Sequence, residues 1–111
     1  MTSKLRRLGC VALLLAAVGL PAPAFSAGTG LIFVSNEKTH NIAVLNPKDY
    51  SIVKWIETSR RPRDMRFNND NSLLYVACGD DDVIDVIDVA TLEVVDHIPT
   101  GPSPEVFYFS P

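Results

Sequence analysis

The chain has 111 residues, with Lys+Arg 10 against Asp+Glu 13, a formal net charge of −3 at pH 7, and 47% hydrophobic residues. That balance argues against a general nucleic-acid binder, which needs a basic surface. Two cysteines, Cys10 and Cys78, are too few for a disulfide framework.

Residues 1–27 read as a secretory signal peptide outside the fold. Lys4, Arg6 and Arg7 make a basic start, Val11 to Leu20 is apolar, and Pro21-Ala22-Pro23-Ala24-Phe25-Ser26-Ala27 supplies small residues for cleavage. The apolar run is shorter than the ~20 residues of a spanning helix. Cleavage after Ala24, Ser26 or Ala27 fits equally. Leu8-Gly9-Cys10 does not continue a twin-arginine motif, and Cys10 precedes the apolar run where a lipidation cysteine would follow it. The expectation is export to a periplasm, with no membrane attachment after cleavage. Three of the ten basic residues leave with the leader, so residues 28–111 carry 7 against 13, a net charge of −6. Only Cys78 remains, read as a small buried residue.

In chain order, Leu31 to Ser35 is a predicted strand and Asn36 to His40 a polar turn. Asn41 to Leu45 alternates, with Ile42 and Val44 on one face. Asn46-Pro47-Lys48-Asp49 is a turn, and Ser51 to Ile56 a strand. Arg60-Arg61-Pro62 is a loop, Arg63 to Phe67 a strand and Asn68-Asn69-Asp70-Asn71 a hairpin turn. Leu73 to Ala77, Val83 to Ile87, Glu93 to Ile98 and Val106 to Phe109 repeat the series. No helix is supported after the leader.

The series repeats without a gap. Forty-two residues separate Val34 from Val76, Ile42 from Ile84, Val44 from Val86, Ile56 from Ile98, Pro62 from Pro104 and Phe67 from Phe109. A period in the low forties with several short strands is the mark of a β-propeller blade. The fold class expected is therefore all-β, with four-stranded antiparallel blades. Residues 28–111 span two periods, where a ring needs roughly four to eight blades. They are read as the first two blades of an incomplete, seven-bladed propeller. The first strand after the leader matches the second strand of a blade. Blade one is thus expected to lack its innermost strand, supplied instead by a distant C-terminus.

At these residues the chain resembles the YVTN-type propeller repeat family. Leu74-Tyr75-Val76-Ala77-Cys78 stands at the Tyr-Val-Thr-Asn run, and Val83-Ile84-Asp85-Val86-Ile87-Asp88 with Thr91 resembles the next segment. Ile98-Pro99-Thr100-Gly101, Pro104 and Ser110-Pro111 resemble the close of the repeat. Phe33-Val34-Ser35-Asn36-Glu37-Lys38, Arg61-Pro62-Arg63, Asp80-Asp81-Asp82 and Gly101-Pro102-Ser103-Pro104-Glu105 are similar to the periplasmic propellers associated with PQQ-dependent catabolism. The resemblance implies a periplasmic partner of a quinoprotein dehydrogenase or its c-type cytochrome. PQQ enters only through that pathway, and no cofactor is evident in the chain itself. Blade one departs from the pattern at Asn46, Ser59 and Asn68.

The candidate binding residues are Arg60, Arg61, Arg63 and Arg66, four arginines within seven residues, followed by no Lys or Arg from 67 to 111. They enter an inner strand at the expected channel mouth, where guanidinium forks would hold a carboxylate or phosphate. Glu105 aligns with Arg63, so an inter-blade salt bridge is the competing reading. Asp80-Asp81-Asp82 with Asp85 and Asp88 lacks calcium-loop spacing and reads as a solvated hairpin tip, with Asp88 opening the turn closed by Thr91. His40 and His97 have no partner at ligand spacing and read as surface or packing residues. Trp55 reads as core between blades. No Ser-His-Asp order, CxxC pair or glycine-rich phosphate loop is present. The leading function is non-catalytic binding or scaffolding in PQQ-dependent alcohol catabolism. The alternatives are a lactonase-like or haem-d1-like enzyme or cofactor carrier, and an extracellular adhesion or surface-layer module.

Overall fold

A computed structural model describes residues 24–25 and 30–110. Eight strands follow in order: β1 Ala24–Phe25, β2 Ile32–Asn36, β3 Asn41–Leu45, β4 Ile52–Glu57, β5 Pro62–Phe67, β6 Leu73–Cys78, β7 Val83–Asp88 and β8 Glu93–Pro99. They form two four-stranded meanders, β1-β2-β3-β4 and β5-β6-β7-β8, with antiparallel neighbours throughout. No helix of the described residues is long and apolar enough to cross a membrane.

Period-two alternation decides which face each sheet buries. In the first sheet Phe33 pairs with Val44 and Ile42 with Ile56, and these four share one face. In the second, Leu74 pairs with Ile87 and Val76 with Met65. Phe33, Ile42, Val44, Ile56, Leu74, Val76, Cys78, Ile87 and Val89 make one buried cluster across the seam between the sheets. The Phe33 and Phe67 rings meet edge-on at 5.8 Å within it, the arrangement that ring quadrupoles favour. Truncating a buried aromatic such as Phe33 to Ala costs about 3–5 kcal/mol.

The 42-residue repeat extends to backbone conformation. His40 (φ 59), Tyr50 (φ 59) and Arg61 (φ 65) recur as Asp82 (φ 55), Leu92 (φ 59) and Ser103 (φ 52). Each is the last loop residue before a strand or extended segment. In the hairpins the amide reaches back to close the turn: His40 donates to the Asn36 carbonyl at 3.0 Å and Leu92 to that of Asp88 at 2.7 Å. Left-handed non-glycine residues carry a steric cost of roughly 1–2 kcal/mol each, offset here by the closed turn and the ladders it starts. Asp88 also accepts from the amides of Ala90 and Thr91, the turn expected at that position.

Three features differ from the sequence reading. The first sheet does not lack an innermost strand, because β1 pairs Ala24 with Phe33 and Phe25 with Ile32. Val106–Phe109 is not a strand among the described residues: no described neighbour offers it a ladder. It is held instead by a Phe107 amide bond to Asp64 at 3.4 Å and by ring contacts of Phe109 with Tyr75 and of Tyr108 with Arg66. Trp55 lies outside the seam, opposite Ala43 on the far face of the first sheet, and is 51% exposed.

Ile52, Val53, Val95, Ile98, Val106, Tyr108 and Phe109 are exposed as well. Large apolar side chains exposed in this number favour association. Residues 28–111 expressed alone should therefore form aggregates in size-exclusion chromatography. A monodisperse monomer with a cooperative melt is the contrary outcome.

Candidate functional site

The loops at one end of the two sheets carry Glu37, Arg60, Arg61 and Asp80 to Asp82. The β4–β5 loop is tied down residue by residue. The Thr58 amide donates to the His40 carbonyl (3.1 Å), Gly79 to the Arg61 carbonyl (3.0 Å) and Asp80 to the Arg60 carbonyl (3.2 Å). The Arg61 amide donates to His40 Nδ1 at 3.0 Å. Forty-two residues on, the Ser103 amide donates to Asp82 Oδ1 at 2.8 Å. His40 and Asp82 thus perform one task in successive repeats, each accepting from the left-handed residue of the next loop. His40 therefore acts as a packing residue of the loop.

A β-bulge places the arginines. Pro62 opposes Cys78 and Met65 opposes Val76, so Arg63 and Asp64 together oppose Ala77. The extra residue turns the start of β5 and re-aims its side chains. Arg61 and Arg63 converge. Arg61 Nε lies 3.5 Å and Arg63 Nε 3.6 Å from the Glu37 carboxylate. Arg61 also lies 3.7 Å from Asp80, and Arg63 donates to Glu105 at 2.7 Å. Gly79 lies beside both side chains, where a Cβ would make ordinary van der Waals contacts with the Pro104 carbonyl oxygen at 3.4 Å, Arg63 Cδ at 3.5 Å and Arg61 Cδ at 3.8 Å.

The other two arginines stand apart. Arg60 clasps Asp81 through its amide (2.7 Å) and Nε (2.8 Å). Arg66 donates to Asp64 at 3.0 Å and stacks 4.2 Å from the Tyr108 ring centroid. The structure therefore brings together Arg61, Arg63 and Glu105, adds Glu37, and separates Arg60 and Arg66. The hairpin tip is more than a solvated loop: Asp81 holds Arg60 and Asp82 caps the Ser103 amide.

The Arg60 amide, followed by its guanidinium, holds the Asp81 carboxyl below its ordinary value of 3.8. A carboxyl depressed in the folded state stabilises fully above its unfolded value, and that contribution is lost as pH falls through the folded one. Asp81→Asn should therefore lower stability slightly at pH 7, a small effect because the pair is exposed, and the difference from the parent should close as pH falls below 3.8. Urea midpoints taken from pH 7 down to pH 2 read this directly.

A second cluster lies in the seam. The fully buried Asp85 accepts from the Ser59 amide (2.7 Å), from Ser59 Oγ (2.9 Å) and faces His97 Nδ1 at 2.6 Å. Ser59 belongs to the loop after the first sheet, while Asp85 and His97 are cross-strand partners in the second. The carboxylate ties the sheets together. Its hydroxyl and imidazole neighbours both bond to it rather than to each other, so the group is not a nucleophilic triad. His97 is bonded to its cross-strand neighbour. The four-residue turn by itself would pair residue 85 with 96, and the β-bulge between Val86 and Ile87 shifts the register by one to put His97 opposite Asp85, which no sequence signal marks. Asp85→Ala strands the Ser59 amide at the seam and should cost about 1–3 kcal/mol by urea unfolding of the full-length protein. An unchanged midpoint would remove Asp85 from the account of stability.

Burial pushes the Cys78 thiol up to about 12, with the nearby Asp85 charge adding to the shift. The thiol is therefore protonated and inert at neutral pH. Among the described residues no group of three or more His, Cys, Asp or Glu side chains is placed to hold a metal ion.

The sequence matches no family model, and no curated protein matches it. Solved structures do match. Hydrazine synthase of Kuenenia stuttgartiensis superposes with a TM-score of 0.68 at 21% identity, covering 78% of this chain and 26% of that one. A candidate 6-phosphogluconolactonase of Bacteroides fragilis gives 0.61 at 22%, covering 73% and 26%. Dihydro-heme d1 dehydrogenase NirN, solved in complex with DHE, gives 0.62 at 20%, covering 80% and 19%. At these identities the likeness is one of fold, and the two meanders are β-propeller blades. The chain spans about a quarter or less of the length of these structures.

Proposed function

We propose that the chain forms two blades of an exported, non-catalytic β-propeller that binds a carboxylate-bearing partner at the Arg61–Arg63 end, as a periplasmic component of PQQ-dependent alcohol oxidation. The observation that carries the binding reading is Glu37. Both guanidinium groups reach its one carboxylate, at 3.5 and 3.6 Å, so the pair is already spaced to share an acidic group. These contacts are longer than the 2.7 Å bond of Arg63 to Glu105, and the side chains are partly exposed. An external carboxylate can displace Glu37 at little cost, because exposed ion pairs contribute little. The quinoprotein association rests on the sequence resemblance, with a dehydrogenase or its c-type cytochrome as the partner.

The competing reading is a propeller enzyme or cofactor carrier. It draws on the fold likeness to the candidate lactonase and to NirN. The described residues offer it one imidazole oriented by a buried carboxylate, His97 on Asp85, with no nucleophile directed at that ring.

The test is charge reversal in the full-length protein, Arg61→Glu with Arg63→Glu, followed by growth on an alcohol whose oxidation requires the PQQ pathway. Growth should fail while the exported protein remains at its normal level. Unchanged growth rejects the functional role. Loss of folded protein assigns the cluster to inter-blade ion pairing, with Glu105 as the partner to reverse next.

A further inference from the structure

The innermost strand of the first sheet bears on where the exported chain begins. Sequence alone leaves three bonds open to a signal peptidase, after Ala24, Ser26 or Ala27. The backbone register distinguishes them. β1 pairs Ala24 with Phe33 and Phe25 with Ile32. In the second sheet, Arg66 pairs with Tyr75 and Phe67 with Leu74. Each residue of the first set stands 42 positions before its counterpart in the second. Phe25 thus occupies the register position of Phe67, and Phe109 stands 42 residues further on. The register repeat thus reaches back to Ala24 and Phe25, inside the segment that composition assigns to the leader.

Removing Phe25 has a physical cost. β2 is the strand it pairs with, and Ile32 and Phe33 there are 3% and 0% exposed. Backbone groups beside such buried positions need partners, and an unpaired inner edge is a site for wrong pairing. Cleavage after Ser26 or Ala27 removes both residues of β1. Cleavage after Ala24 keeps the pair nearest the turn, Phe25 with Ile32. It also has Ala22 and Ala24 at the small-x-small spacing that signal peptidases read, whereas a cut after Ala27 would place Phe25 at the upstream small-residue position.

We propose that the Ala24–Phe25 bond is the processing site, so that the exported protein begins with Phe25. Water adds across that amide on a membrane-bound signal peptidase, leaving a carboxylate on Ala24 and an α-ammonium on Phe25. The proposal rests on the export reading, and the experiment separates the two.

The full-length protein with its native leader is expressed in a bacterium with a periplasm. Protein from the periplasmic and cytoplasmic fractions is then analysed by intact mass and N-terminal sequencing. A periplasmic species starting at Phe25 is the expected result. Ser26→Leu should leave that start unchanged, while Ala24→Leu should abolish it and shift the mass to the unprocessed chain. A periplasmic species starting at Ala27 or Gly28 overturns the site and leaves export standing. An uncleaved chain confined to the cytoplasm overturns both.

Discussion

A four-stranded meander has two faces and can cover neither by itself. That constraint governs this molecule. Each sheet must place one apolar face on a neighbour, and the seam between the two is where nearly all the deeply buried side chains collect, from Phe33 and Ile56 on one side to Leu74 and Ile87 on the other. The loops follow from the seam. The β4–β5 loop must cross from one sheet to the next, and it is anchored from both, by His40 behind it and by Gly79, Asp81 and Asp85 ahead. The arginines stand at the end of this crossing, so their placement is a by-product of how the sheets stack.

The ion pairs at that end differ in kind from the bond at the seam. Arg61, Arg63, Glu37 and Glu105 are partly open to water, where a pair contributes about 0–1 kcal/mol. Such groups exchange partners readily. Asp85 has no contact with water, and its three bonds are short. A charged group in that position is fixed by its donors. The fold thus keeps a permanent polar tie within the seam and an exchangeable set of charges at its rim.

The strands were legible because gapless periodicity and alternation both act over short range. From Asn41 to Leu45 they place the ends to the residue. The Arg63–Glu105 pair was legible too, because a repeat puts equivalent residues of adjacent blades side by side. What sequence reasoning missed depends on register and on bulges. Arg63 and Asp64 share one opposite residue, and nothing in Pro62-Arg63-Asp64 announces that. The left-handed residues His40, Tyr50 and Leu92 carry no glycine to mark them. Asp85 looked like a member of the acidic run at 80–82, yet two further strand positions carry it from the hairpin tip into the core. β1 was hidden because composition assigned its residues to the leader.

The two sheets are not interchangeable, although they share a template. Asp85 and His97 in the second correspond to Ala43 and Trp55 in the first, and Ser59 corresponds to Gly101, which has no hydroxyl to offer. Only this ordering gives the buried carboxylate the Ser59 hydroxyl. If the second sheet were followed by a copy of itself, the copy's carboxylate would meet Gly101 in place of Ser59 and lose the hydroxyl donor, keeping the imidazole of its own sheet. This junction therefore carries a chemical address that distinguishes one sheet from the other.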